Sequence, residues 1–238
     1  MKKYLSVLIS VALFVSLSAF AQDIDYSKLA PHPRLLINKG DITAMRAFRD
    51  RSENAQYVND MIVNEATRFL STSSAVRKLE GRRLLQVSGE VLKRVFYLSY
   101  AYVMTDDMRY AARAEREMLA ASEFVDWNPS HFLDVSEMTM ALAIGYDWLY
   151  HFLSEESRNK IATAIYEKGL RPSENDKHAW FFKADHNWNQ VCNAGMIYGA
   201  LATMERSPEY CKALISKCVE SNPSAQKAYN PDGVYPEG

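Results

Sequence analysis

Six consecutive residues, Asp185-His186-Asn187-Trp188-Asn189-Gln190, set an imidazole, three side-chain amides and an indole at the mouth of a small-residue stretch, Val191-Cys192-Asn193-Ala194-Gly195-Met196-Ile197-Tyr198-Gly199-Ala200. An imidazole can take or give a proton near neutral pH, and amide N–H groups can hold negative charge that develops beside it. A helix beginning near Asn187 would put His186, Asn189 or Gln190, and Asn193 on one face, because their offsets are three, four and seven. The other face, with Val191, Cys192, Gly195 and Gly199, would admit a closely packed neighbour. Backbone N–H groups at such a helix start favour an anion such as a carboxylate. The same residues also fit a plainer role, in which Asp185 or Asn187 caps the helix and the rest meet solvent.

Three further groups carry usable side chains. Trp127-Asn128-Pro129-Ser130-His131 is a loop with stacking and hydrogen-bonding groups, or simply a helix-start device. Trp180, Phe181 and Phe182 would make a stacking platform for a sugar ring or a plug on the core. The tail Asp232-Gly233-Val234-Tyr235-Pro236-Glu237-Gly238 offers the Tyr235 phenol and the Glu237 carboxylate, or forms only a turn. Arg34, Arg82, Arg83, Lys177 and Lys183 would meet carboxylate or sulfate groups, although scattered cations are commonly just solvated. The histidines and cysteines show no zinc-like spacing, so neither a metal nor another cofactor is expected.

The elements that must position these groups read as helices. Asp41 opens the first, after a proline-punctuated arm, 22–39, whose Pro31-His32-Pro33-Arg34 must be extended. Residues 89–102 follow helix spacing with Ser88 as cap, and Thr105-Asp106-Asp107 starts a helix with a small face of Ala111, Ala114, Met118 and Ala121. Residues 132–153 are apolar almost all round, which predicts a helix buried on most sides. Ser154-Glu155-Glu156 begins another helix that ends near Gly169, an irregular stretch covers 171–185, and Pro208 sits at the first turn of a further helix. No strand pattern, repeat or low-complexity tract is evident. The expectation is an all-α chain of antiparallel helical hairpins.

The start, Met1-Lys2-Lys3 followed by an apolar run to Ala19-Phe20-Ala21, reads as a cleavable secretory signal peptide over 1–21. One domain is expected over 22–238, periplasmic or secreted, and no later run approaches the roughly 20 apolar residues that span a bilayer, so no stable membrane insertion is expected after cleavage. Loss of Lys2 and Lys3 leaves 26 of the 28 basic residues against 29 acidic ones, near −3, which does not suggest a nucleic-acid binder. Cys211 and Cys218 lie roughly 10 Å apart along a helix, too far for a bridge, and all three cysteines read as small buried apolar residues.

Five ordered segments resemble the heparinase II/III-like family of secreted polysaccharide lyases: His32-Pro33-Arg34-Leu35-Leu36; Trp127-Asn128-Pro129-Ser130-His131-Phe132-Leu133-Asp134-Val135; Ala143-Ile144-Gly145-Tyr146-Asp147-Trp148-Leu149; Asn187-Trp188-Asn189-Gln190-Val191-Cys192-Asn193; and Pro231-Asp232-Gly233-Val234-Tyr235-Pro236-Glu237-Gly238. The resemblance implies the N-terminal part of an incomplete α/α-toroid, with the family's C-terminal β-sandwich absent from this chain. It implies β-elimination on a uronate-containing, anionic polysaccharide or oligosaccharide, without cofactor. His186 would be the base and Asn189 would neutralise the carboxylate, with Asn187, Trp188, Gln190, Trp127, His131, Tyr235 and Glu237 binding substrate. The family's catalytic tyrosine would follow beyond Gly238, so the chain alone would not turn over. Two other readings stand beside it: a toroid glycoside hydrolase using two of Asp134, Glu137, Asp185 and Glu237 across a cleft, and a non-catalytic glycan-binding protein of helical hairpins.

Overall fold

Residues 24–235 are described by the structure, a computed structural model, and they form α1 (Lys39–Arg51), α2 (Glu53–Phe69), α3 (Leu85–Thr105), α4 (Met108–Ser122), α5 (Phe132–Trp148), α6 (Glu155–Ala164), α7 (Asn187–Ala202), α8 (Pro208–Ser221) and the short α9 (Pro223–Gln226). Among the described residues the only β-pairing is an isolated bridge between Glu80 and Arg83, and the chain is all-α. The expected leader at 1–21 and Glu237 lie outside the described residues. No helix of the described residues is long and apolar enough to cross a membrane.

The most apolar segment forms the centre. Fourteen of the seventeen residues of α5 are buried, and it packs chiefly against α3 and α7. The approach of α7 is set by glycine: a Cβ on Gly195 would lie 2.8 Å from the Ser136 backbone, and one on Gly199 would lie 2.6 Å from Thr139 Cγ2. Here the main chains of two helices touch, which any larger side chain would prevent. Cys192, Cys211 and Cys218 are buried and unbridged, as expected, and burial pushes the Cys192 and Cys218 thiols up to about 12.

Most helix starts follow their local chemistry. Asn38 and Asp41 form a reciprocal capping box on α1, and Asp107 and Ser154 cap α4 and α6 with their side chains. The start of α3 does not. Ser88 was expected to cap it, yet the helix begins at Leu85, and Ser88 lies inside it, donating to Glu137 Oε2 at 2.6 Å. The capping acceptor comes from α5: Asp134 Oδ2 takes the Leu84 N–H at 2.6 Å, across 50 residues of sequence. A tertiary contact thus replaces the local cap, which no window of neighbouring residues encodes. Likewise α5 stops at Trp148 rather than at Leu153, and Arg158 Nη1 donates to the carbonyls of Tyr150 and Leu153 in the turn that follows.

The proline-rich arm is tied down at the other end of α5. The fully buried Asp147 accepts from His32 Nδ1 at 2.5 Å, from the Arg34 N–H at 2.8 Å and from the Leu35 N–H at 2.8 Å. Three donors offset the cost of burying that charge. Trp148 Nε1 donates to the Leu35 carbonyl at 2.8 Å, and the His32 ring stacks on Tyr150 with centroids 4.0 Å apart. Arg34, expected as a free cation for an anionic ligand, is instead committed to Glu205, with Nη1–Oε1 at 2.6 Å and Nη2–Oε2 at 2.7 Å.

Candidate functional site

The polar start of α7 falls where the sequence places it, with His186 as N-cap and Asn187 as the first helical residue. Three distant segments gather there. The indole of Trp188 meets the edge of His131 with centroids 4.9 Å apart, and stacks obliquely on Trp180 at 4.8 Å. Trp180 also lies 6.0 Å from the His186 ring. From the C-terminal segment, the Tyr235 hydroxyl accepts the Asn187 N–H at 2.7 Å, and the Tyr229 hydroxyl donates to Gln190 Oε1 at 3.1 Å.

His131 is held firmly. Its Nδ1 donates to Asp134 Oδ1 at 2.8 Å, while Asp134 Oδ2 accepts from Leu84 N and, at 2.7 Å, from Asn128 Nδ2. Asp134 is fully buried and His131 partly open to solvent. One turn further, burial raises the Glu137 carboxyl above its ordinary range; the Ser88 hydroxyl opposes this, Asp134 adds to it, and His131 opposes it. The side chains of Arg82 and Arg83 are exposed, and the Arg82 carbonyl accepts from Asn128 Nδ2 at 2.8 Å. A cavity of about 370 Å³, lined by Glu80, Arg83, Leu85 and Gln86, opens beside the start of α3.

The expected shared face of His186, Asn189 and Asn193 does not form. His186 is exposed, whereas Asn189 and Asn193 are buried in the seam with α8. Asn189 Nδ2 donates to the Phe181 carbonyl at 3.0 Å, the Phe182 carbonyl at 3.3 Å and Ser221 Oγ at 2.8 Å, and Asn193 Nδ2 reaches the same Ser221 Oγ at 2.9 Å. The reason is geometric: His186 has φ −132° and ψ −178°, an extended cap conformation, so helical spacing does not extend back to it. Asn189 fastens the 179–185 segment to the helix instead of facing a cleft. Val191, expected on the packed face, is exposed, while Cys192, Gly195 and Gly199 are buried.

Trp127 is also out of a ligand's reach. It is wholly buried with Nε1 donating to the Ala121 carbonyl at 3.1 Å, so it packs the core behind the loop that presents His131. The aromatic triplet divides, with Phe181 and Phe182 buried as a plug and Trp180 44% exposed. The two first N–H groups of α7 are already engaged, by Tyr235 and by His186 Nδ1, so neither is open to an anion.

Sequence reasoning missed the pairing of His131 with Asp134. The three-residue spacing at a helix start was the available signal, because such positions share a face. The chain matches no family model and no curated protein.

Proposed function

We propose that this chain is the helical, substrate-binding part of a secreted or periplasmic polysaccharide lyase that cleaves uronate-containing glycans by β-elimination, its helices forming part of an α/α-toroid. The observation that carries this reading is the convergence of three segments that resemble the lyase family, 127–135, 187–193 and 231–235, at one helix start through His131–Trp188 and Asn187–Tyr235. The other two such segments, 32–36 and 143–149, meet each other through Asp147 and Trp148 at the opposite end of α5 and serve to brace it.

The assembled groups suit the chemistry. The indoles of Trp180 and Trp188 offer apolar faces on which a sugar ring can stack. The exposed Arg82 and Arg83 side chains and the amide of Gln190 suit an anionic glycan. A C–H beside a carboxylate becomes acidic enough to lose its proton when fixed donors hold the developing charge, and imidazoles supply the proton transfer. Hydrolysis would require two carboxylates facing a sugar, and of the four candidates Asp134 is buried with both oxygens engaged by protein donors.

The test is to incubate the full-length protein with heparan, hyaluronan, chondroitin and alginate and to follow ultraviolet absorbance of the unsaturated uronate. A rise on at least one glycan is expected. Reducing ends released without that absorbance would replace the lyase by a hydrolase, and binding without any cleavage would leave a glycan-binding protein.

A further inference from the structure

We propose that the two imidazoles of the site have different duties, His131 as the general base and His186 as a hydrogen-bond donor to the uronate carboxylate, an inference that rests on the lyase reading above. This reverses the role that the sequence alone suggested for His186.

The Nδ1 partner of each ring decides the matter. The Asp134 carboxylate can only accept, so the hydrogen in its 2.8 Å contact belongs to His131 Nδ1 and the neutral ring keeps its lone pair on Nε2. No described residue hydrogen-bonds that nitrogen. Asp134 is itself immobilised by Leu84 N and Asn128 Nδ2, and a fixed carboxylate on one imidazole nitrogen orients the ring and stabilises the imidazolium formed when the other takes a proton. His186 is the mirror case. The Trp188 backbone N–H points to its Nδ1 at 3.4 Å, so the hydrogen of the neutral ring is on Nε2 and the exposed end is a donor. Both rings border the same indole pair, Trp180 and Trp188.

In the step this assigns, His131 Nε2 takes the C5 proton of the uronate, and the C5–H electron pair becomes the C4–C5 double bond. The C4–O4 bond breaks, and the leaving oxygen takes a proton from a general acid, the role that the resemblance gives to a tyrosine beyond Gly238, while the His131 imidazolium releases its own proton to solvent. The His186 Nε2–H holds the carboxylate while charge accumulates on it. The titratable groups facing His131 are Asp134 and Glu137 of its own helix; Trp188 faces it from α7 without charge, and the α3 side contributes the Leu84 N–H and the Ser88 hydroxyl to those two carboxylates.

The full-length protein and its H131Q and H186Q variants, assayed by uronate absorbance across pH, test this assignment. H131Q is expected to lower kcat by about 100-fold or more, leave KM within about threefold and abolish the acid limb of the profile. H186Q is expected to raise KM while keeping that limb. Nitrogen-15 NMR of the wild-type imidazoles, which depends on no variant folding, should show His131 with its hydrogen on Nδ1 and His186 with its hydrogen on Nε2. An active wild type whose acid limb survives in H131Q, or whose tautomers are interchanged, overturns the assignment and leaves the lyase reading standing. A wild type that forms no unsaturated product on any of the four glycans overturns both.

Discussion

Tyr235 and Asn187 are joined by a 2.7 Å hydrogen bond, the backbone N–H donating to the phenol oxygen across 48 residues of sequence. This contact ties the C-terminal segment to the start of α7. Tyr235→Phe removes the acceptor and keeps the ring. The expected cost in stability is below about 1 kcal/mol, because the site is only partly buried. Hydrogen exchange at the Asn187 amide should accelerate, and KM for a uronate glycan should rise several-fold. Unchanged exchange at that amide would contradict the bond.

Asn189 is predicted to matter for stability. Replacing it by Ala removes the donors to the Phe181 and Phe182 carbonyls and to Ser221 Oγ, which should cost about 1–3 kcal/mol in urea unfolding. If Asn189 touched substrate instead, kcat would collapse while the unfolding midpoint stayed put.

Gly195→Ala tests the helix contact behind the site. The added methyl would lie 2.8 Å from the Ser136 backbone, and backbone cannot swing away as a side-chain tip can. Overpacking of this kind costs about 1–3 kcal/mol, so a thermal midpoint equal to wild type would show that α7 and α5 stand further apart than described.

These three cases also mark what the sequence revealed. Helix identity was legible because apolar spacing and cap residues are local, as at Asp107 and Ser154. The glycines of α7 announced a close neighbour without naming Ser136 as its surface. The site was legible in composition and wrong in orientation. His186 stands outside the helical phase of Asn189, and Trp127 turns inward while His131, four residues on, reaches the surface. What no local pattern carries is a carboxylate serving two masters, as Asp134 does in capping α3 and orienting His131.

The arm should respond to acid. Burial by itself would raise Glu205, but the hydrogen-bonded Arg34 guanidinium, the backbone N–H of Glu205 and the His32 ring together more than offset it and hold the carboxyl below its ordinary range. A depressed carboxylate contributes stability above its unfolded value, about pH 4.3, and that contribution fades as pH falls through the lower folded value. Proteolysis within 24–38 should therefore accelerate below about pH 4, and Glu205→Gln should make the arm labile already at neutral pH. An arm equally protected in both proteins at neutral pH would remove Glu205 from the latch.

The central claim is that the protein cleaves by elimination, and cleavage of a uronate glycan in heavy-oxygen water followed by mass analysis of both new ends tests it most directly. Elimination predicts a non-reducing end that is an unsaturated uronate and no solvent oxygen in either product. One heavy oxygen incorporated per cleavage, with a saturated end, would contradict it.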